Sequence, residues 1–246
     1  MRTVKTVRVW VIGIVLVVVT ALFVSTSLAA PVNIDAVKND AAAFIHDHSE
    51  EFISVSDAIW SYAELGFQEF KSSEALKKLL EKYGFKVEMG VAGMPTAMVA
   101  TWGSGKPIIG FTGEYDALPG LSQKAVPYKE PLVEGAPGHG CGHNLLGTTG
   151  VASAIALKHV IEKHSIPGTV KFFGCPAEES GSAKIFMVRE GIFDDTDVVL
   201  DNHPSNEYEV QSGAHTSALK LYRITFIGKS AHAGSAPWDG VSALDA

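Results

Sequence analysis

The chain of 246 residues contains no run of lysine or arginine and no basic stripe interleaved with aromatic residues. Its formal net charge is -7 and its isoelectric point is about 5.7. Proteins that bind nucleic acid neutralise phosphates with such basic clusters, so the composition argues against a nucleic-acid partner. With 46% hydrophobic residues, the chain is long enough for one large domain, or for one domain and part of another.

Three sequence motifs of common enzyme classes are also absent. There is no Gly-x-Ser-x-Gly, which would place a nucleophilic serine on a sharp turn. There is no Gly-x-x-x-x-Gly-Lys phosphate loop, and no Gly-x-Gly-x-x-Gly follows a predicted strand. The sequence therefore gives no support for a serine hydrolase, a nucleotide hydrolase or a dinucleotide-dependent dehydrogenase.

Cysteine is scarce, with only Cys141 and Cys175 in the chain. In an oxidising compartment two cysteines can form one disulfide. Cys141, however, stands between His139 and His143, which favours a role as a metal ligand. Cys175 is then expected to be a small buried hydrophobic residue.

Residues 1–30 differ from the rest of the chain. Basic residues come first, an almost continuous apolar run covers Trp10–Val24, and Ser27-Leu28-Ala29 fits the small-x-small rule for cleavage. This layout predicts a signal peptide, and hence an exported protein that is periplasmic or secreted, with no other membrane contact. The alternative is an uncleaved membrane anchor, although the apolar run is shorter than the ~20 residues of a comfortable span.

From Pro31 onward, patterns typical of helices alternate with patterns typical of strands. Helices are predicted over 34–50, 55–65, 72–83, 145–159 and 184–190. Strands are predicted over 85–89, 96–102, 107–112, 169–173 and 198–200, and residues 119–138 form a loop. This alternation indicates an α/β fold with a mostly parallel or mixed sheet flanked by helices.

The character of the sequence changes near residue 215. Residues 218–227 alternate in the manner of a strand, and a helix is predicted to begin over 241–246. We therefore divide the chain into the signal peptide, a domain over 31–215 and the beginning of a second domain over 216–246.

Polar residues collect where the predicted strands end. Asp116 follows the strand at 107–112, the pair Glu178-Glu179 follows the strand at 169–173, and His203 follows the strand at 198–200. In an open α/β sheet, the carboxyl ends of the strands line the ligand crevice. We therefore expect these side chains to share one site.

The segment His139-Gly-Cys-Gly-His143 carries the strongest chemical signal. Residues two apart in an extended segment point to the same side, and thiolate with imidazole suits zinc and related divalent ions. The pair Glu178-Glu179 supplies one carboxylate for metal and one for proton transfer to and from a metal-activated water. A catalytic thiol at Cys141, with a neighbouring histidine as base, is the alternative.

These strings resemble the M20 metallopeptidase family, in its amidohydrolase branch and within it the aminobenzoyl-glutamate utilisation group. The matching segments are Gly-Glu-Tyr-Asp-Ala-Leu-Pro-Gly at 113–120, Gly-His-Gly-Cys-Gly-His-Asn at 138–144, Gly-Cys-Pro-Ala-Glu-Glu at 174–179, Ala-Glu-Leu-Gly-Phe-Gln-Glu at 63–69 and Met-Val-Arg-Glu-Gly-Ile-Phe-Asp-Asp at 187–195. The resemblance runs from about residue 40 to the end of the chain.

The resemblance implies a catalytic domain of the zinc-exopeptidase type with two divalent metal ions, zinc or manganese or else cobalt. The implied ligands are Cys141, His143, Glu179 and His203, with Cys141 as a bridging ligand. Glu178 would be the general base, and Asp116 would orient a ligand. His139 is then only a neighbour of the site.

The family also inserts a small α/β lid that forms a homodimer, and the residues from 216 onward would begin it. Gly228–His232 matches the family's Gly-x-x-Ala-His segment, which implies that His232 polarises the scissile carbonyl in the partner subunit's site. Family chains are almost twice as long and carry a last metal-binding histidine near their end. We therefore expect the site to be incomplete within these residues.

These observations lead to one functional prediction, which is metal-dependent hydrolysis of the amide in an N-acyl amino acid such as aminobenzoyl-glutamate. A dipeptidase or carboxypeptidase of the same fold is the first alternative. A non-catalytic component for binding or assembly, within a hetero-oligomer, is the second.

Overall fold

The computed structural model describes residues 32–207, 210, 212, 213, 220 and 222–245. The chain divides into two compact units, with the boundary between Pro204 and Ser205. The helices are α1 (Ile34–Asp47), α2 (Ser49–Tyr62), α3 (Phe70–Lys82), α4 (His143–Lys163), α5 (Glu178–Gly181) and α6 (Ala183–Arg189). The strands are β1 (Lys86–Met89), β2 (Met98–Ser104), β3 (Ile108–Gly113), β4 (Gly168–Gly174) and β5 (Val198–Leu200). Short 3-10 turns cover Val91–Gly93 and Pro237–Asp239.

The five strands form one mixed sheet in the order β1-β2-β4-β3-β5. β1 and β2 form an antiparallel hairpin, and β2 pairs antiparallel with β4. β3 pairs parallel with β4 on one side and with β5 on the other. The predicted α/β class with a mixed sheet is therefore confirmed, and the three parallel strands end on one common edge.

The core lies on both faces of this sheet, as successive side chains of β4 show. Phe172 belongs to the cluster that packs under α2, α3 and α4, whereas Phe173 belongs to a second cluster with Cys175 and Met187 of α6. Both phenylalanines are fully buried. Because neighbouring residues of a strand point to opposite faces, one strand supports helices on both sides.

The first predicted helix is two helices in the structure. Asn33 caps α1 as predicted, with its side-chain oxygen accepting from the Ala36 amide at 3.1 Å. The helix ends at His48, whose backbone leaves the helical region and whose Nδ1 lies 2.8 Å from the Phe44 carbonyl oxygen. The prediction of one helix to residue 50 and another from residue 55 was wrong, since α2 already begins at Ser49.

The start of α3 also differs from the prediction. We expected Ser72 or Ser73 to cap this helix, but both are buried inside it. The carboxylate of Glu64 takes the capping role, since it accepts from the amides of Lys71 and Ser72 at 3.1 and 2.9 Å. A residue distant in sequence therefore caps the helix, and a local pattern does not show this.

β5 has the predicted bounds but not the predicted burial. Its three residues, Val198, Val199 and Leu200, are 42–49% exposed. The physical reason is its position at the edge of the sheet, where only β3 pairs with it. The prediction of a buried strand here was wrong for the described residues.

The second unit contains little regular structure in its described part. Of the predicted strand at 218–227, residues 218, 219 and 221 lie outside the described residues, and 222–227 have no strand partner among the described ones. The predicted helix over 241–246 is wrong for residues 241–245. The Val241 amide and carbonyl instead pair with those of Lys229 in an isolated bridge, at 2.9 Å each.

The predicted signal peptide over 1–30 lies outside the described residues. Among the described helices, none is both long enough and apolar enough to cross a membrane.

We predict that Gly150→Ala destabilises the protein by about 1–3 kcal/mol. Gly150 lies in α4, where an added Cβ would overlap the Thr112 carbonyl oxygen of β3 and lie 3.0 Å from the Phe172 ring. In an exposed helix the same change stabilises by about 1 kcal/mol. Urea unfolding measures the difference, and Ser153→Ala in the same helix serves as the control. A stabilising effect of Gly150→Ala would contradict the close packing of α4 on the sheet.

Candidate metal centre

The polar residues of the site lie at the carboxyl edge of the three parallel strands. Glu114 and Asp116 follow β3 directly, α5 begins at Glu178 after β4, and His203 follows β5. α4 begins at His143, two residues before the predicted start. The crevice expected from strand order is therefore the place where these side chains meet.

Asp116 holds the imidazole of His143 in one orientation. His143 is fully buried, and its Nδ1 lies 2.8 Å from Asp116 Oδ1 and 3.1 Å from the Asp116 carbonyl oxygen. Since both oxygens only accept, Nδ1 carries the proton, and in the neutral ring Nε2 keeps its lone pair. That Nε2 is buried and has no hydrogen-bond partner. This is the arrangement that a metal-binding histidine requires.

The same carboxylate also positions the acid pair. Asp116 Oδ2 accepts from the Glu179 amide at 3.0 Å. The Oε1 atom of Glu179 is buried without a partner, 3.9 Å from His143 Nε2. Glu178 Oε2 lies 3.8 Å from the same nitrogen, and its side chain is more exposed than that of Glu179. One glutamate therefore faces the buried ligands and the other also faces solvent.

Cys141 and His203 meet at the outer side of the site, where Sγ lies 3.2 Å from His203 Nε2. Gly142, between Cys141 and His143, has a φ of 82°, which side chains other than glycine rarely adopt. This turn lets the thiol and the imidazole reach the same space. Cys141, His143 and His203 offer ligand atoms that all lie within 4.8 Å of one another.

The donor set fits a divalent cation. Two of its ligand atoms, His143 Nε2 and Glu179 Oε1, are buried without a partner. Burial raises the pKa of Cys141 to about 11, and the charge of Glu179 adds to the effect. Burial lowers the pKa of His143, but the hydrogen bond and charge of Asp116 outweigh it and raise the pKa overall. A cation would neutralise this excess of negative charge and hold the thiol as thiolate.

Glu69 was not predicted as a functional residue, although it ends the quoted string at 63–69. It is fully buried, and its Oε1 accepts from the Ala177 amide at 2.8 Å while its Oε2 accepts from the Thr96 hydroxyl at 2.9 Å. Ala177 has a φ of 51° and directly precedes Glu178. Glu69 therefore fixes the strained turn that presents Glu178.

Glu114 and Lys184 were also missed as site residues, although Glu114 stands in the quoted string at 113–120. Glu114 is 4% exposed, and its Oε1 is paired with the Lys184 ammonium group. Burial lowers the pKa of Lys184, and Asp201 opposes that effect. No sequence signal connected this lysine with the strand-end residues.

The remaining predicted residues lie elsewhere. His139 points away from the ligands, with Nε2 3.0 Å from the Ile59 carbonyl oxygen, in agreement with its interpretation as a neighbour. Cys175 is free and fully buried, and Cys141 is also free. His232 belongs to the second unit, so its catalytic role stays a prediction.

Comparisons with known proteins agree with this arrangement. Residues 110–231 match the model of peptidase family M20/M25/M40. One of the subunits of p-aminobenzoyl-glutamate hydrolase from Escherichia coli (strain K12) is 46% identical over 198 residues, which are 80% of this chain and 41% of that protein. The Xaa-Arg dipeptidase of Mus musculus is 36% identical over 236 residues, covering 90% of this chain and 49% of the relative. The chain spans about half the length of the curated relatives it matches.

A solved structure of a dinuclear metal-binding peptidase of family M20 from Bacillus subtilis has the same fold. It matches with a TM-score of 0.52 and 24% sequence identity, over 64% of this chain and 42% of that one. The matching residues 110–231 contain all the predicted ligands, from Cys141 to His203. On these grounds, the chain belongs to peptidase family M20/M25/M40.

Proposed function

We propose that this protein is a metal-dependent amidohydrolase that cleaves the amide of an N-acyl amino acid, such as aminobenzoyl-glutamate. The observation that carries the proposal is the pair of buried, unpartnered ligand atoms, His143 Nε2 and Glu179 Oε1, at the carboxyl edge of the sheet. The 46% identity to the Escherichia coli p-aminobenzoyl-glutamate hydrolase chain supports this substrate class.

The residues that would hold two divalent ions are Cys141, His143, Glu179 and His203, with Cys141 as the bridging ligand. The mixture of thiolate, imidazole and carboxylate suits zinc, and manganese or cobalt are alternatives. When bound, such ions lower the pKa of a water molecule and polarise the substrate carbonyl. The structural neighbour's dinuclear site supports the number of ions.

Glu178 is the residue placed to move the proton. Its Oε2 lies near the ligand nitrogen of His143, yet 43% of its side chain is exposed, so it faces both the buried ligands and the entering substrate. A carboxylate in this position accepts the proton of the attacking water and then transfers it to the leaving amine.

His232 is the proposed donor to the scissile carbonyl oxygen. Its Nδ1 accepts from the amides of Gly234 and Ser235, both at 3.1 Å. Because these amides fix Nδ1 as the acceptor, Nε2 carries the proton and can donate. In the proposed homodimer through the second domain, this donor serves the partner subunit's site. A hetero-oligomer is the alternative, and it is supported by the name of the Escherichia coli relative, which designates one of several subunits.

A dipeptidase is the second candidate function. The observation that favours it is the 36% identity to the Xaa-Arg dipeptidase, which extends over 90% of this chain. Rates with aminobenzoyl-glutamate, other N-acyl amino acids and Xaa-Arg dipeptides separate the two activities. Bound metal without turnover of any of these substrates would favour a non-catalytic binding role.

We also propose that the protein is exported, on the basis of the three-part layout of residues 1–30. We predict that the mature protein from the native host begins after Ala29 or Ala30. Amino-terminal sequencing of the purified protein checks this. A mature protein that retains Trp10–Val24 would instead support the membrane anchor.

We predict that Glu178→Gln in the full-length enzyme lowers kcat by about 10²- to 10⁴-fold, because the amide cannot accept the proton. Metal content, measured by elemental analysis, should remain that of the unmodified enzyme. Glu190→Gln, an exposed glutamate after α6, is the matched control and should leave both quantities unchanged. A near-normal rate for Glu178→Gln with its metal retained would contradict the mechanism.

We predict that Glu69→Ala lowers kcat by about 10- to 100-fold with little change in KM, because the Ala177 turn loses its anchor and Glu178 moves. Glu69→Gln keeps an acceptor for the Ala177 amide and should retain most of the rate. Thr96→Val removes the other hydrogen bond of the same carboxylate and is the control for stability alone. Equal losses of kcat in Thr96→Val and Glu69→Ala would show that Glu69 acts only through stability.

A further inference from the structure

Glu114 and His143 face each other with atoms that have no hydrogen-bond partner. Glu114 Oε2 lies 3.2 Å from His143 Nε2, and both atoms are buried and unpartnered. The two side chains are 5% and 0% exposed. A buried carboxylate oxygen without a partner is costly, so the structure must compensate for it in another way.

A direct hydrogen bond does not provide this compensation. Asp116 accepts the proton on His143 Nδ1, so the neutral ring presents the lone pair of Nε2 to Glu114. Two acceptor atoms at this distance repel each other. A cation between them removes the repulsion and satisfies both lone pairs.

The distance itself is that of two ligands on one ion. Zinc binds imidazole nitrogen and carboxylate oxygen at about 2.1 Å, so two such ligands lie about 3.0 Å apart at a right angle and about 3.4 Å apart at a tetrahedral angle. The observed 3.2 Å lies between these values. Glu114, His143 and Glu178 also offer three ligand atoms within 4.8 Å of one another.

We infer that Glu114 is a further metal ligand, which binds through Oε2 the same ion as His143 Nε2. The inference rests on the metal centre of the proposed function and adds a carboxylate that the predicted ligand set lacks. Because the lone pair of Nε2 binds a single ion, Cys141 and His203 are left mainly to the second ion.

Lys184 is the positioning residue of this carboxylate. Its ammonium group is paired with Oε1 of Glu114, so Oε2 is the atom directed at His143. The side chain of Lys184 is 34% exposed, and it comes from α6 on the other side of the acid pair. A lysine that held Glu114 only as a counter-ion would leave Glu114 without a role in metal binding, and this distinction can be tested.

The experiment titrates Zn²⁺ and, separately, Mn²⁺ into metal-free full-length enzyme by calorimetry, without substrate. Elemental analysis after dialysis gives the number of ions that remain bound. The variants are Glu114→Gln, Lys184→Met and the double variant Glu114→Gln/Lys184→Met. Asp195→Asn is the matched control, because Asp195 forms a similar ion pair with Lys171 outside the site.

We expect Glu114→Gln to bind one of two ions at least about 100-fold more weakly, since even residues that only orient a ligand contribute 10- to 100-fold. Lys184→Met should bind both ions within about 10-fold of the unmodified enzyme, and Asp195→Asn should bind them equally well. In the Co²⁺-substituted enzyme, the visible absorption bands should change in Glu114→Gln but not in Asp195→Asn. The double variant contains no unpaired buried charge, so it should fold, as circular dichroism will show, and still bind one ion weakly.

Unchanged affinity and stoichiometry in Glu114→Gln or in the folded double variant would overturn the inference. Loss of an ion in Lys184→Met equal to that in Glu114→Gln would also overturn it, because the ion pair alone would then control the site. Unmodified enzyme that binds two ions but hydrolyses no substrate would contradict the proposed function and not this inference. Unmodified enzyme that binds no metal would contradict both.

Discussion

The site depends on the carboxylate of Asp116, which joins three segments of the chain. One oxygen accepts from His143 at the start of α4, and the other accepts from the amide of Glu179 at the start of α5. Asp116 itself follows β3 and is 2% exposed. Because a buried carboxylate is stable only when it is hydrogen-bonded, these contacts fix the ring of one ligand and the backbone of another together.

Around this carboxylate the fold collects more negative charge than its own cations balance. Glu114, Glu178 and Glu179 surround one imidazole, and Lys184 is the partly buried cation paired with the first of them. Like charges at such distances destabilise the folded state in the absence of a counter-charge. Binding of divalent cations would therefore contribute to stability as well as to catalysis, since the ligands are assembled only in the folded chain.

The sequence predicted the parts of the site that follow from strand order. His143, Glu179 and His203 stand where strands end or a helix begins, and parallel pairing brings such positions to one edge. Glu69 could not be predicted in this way, because its contact with Ala177 joins residues 108 positions apart. The wrong burial of β5 has a related cause: apolar composition predicts a strand, but burial depends on its neighbours in the sheet. The break at His48 similarly depends on its side-chain contact with Phe44, which a periodic apolar pattern does not reveal.

The strain in the site is located where the chemistry needs it. Ala177 adopts a left-handed conformation that costs a non-glycine residue of order 1–3 kcal/mol, and it persists because the surrounding contacts define it. These contacts come from Glu69 and from the amides of Gly181 and Ser182, which donate to the Ala177 carbonyl at 2.8 and 2.7 Å. The turn directs Glu178 outward while Glu179 faces the ligands. A regular helix from β4 onward would satisfy the backbone more simply, but it would not present two adjacent carboxylates to two different partners.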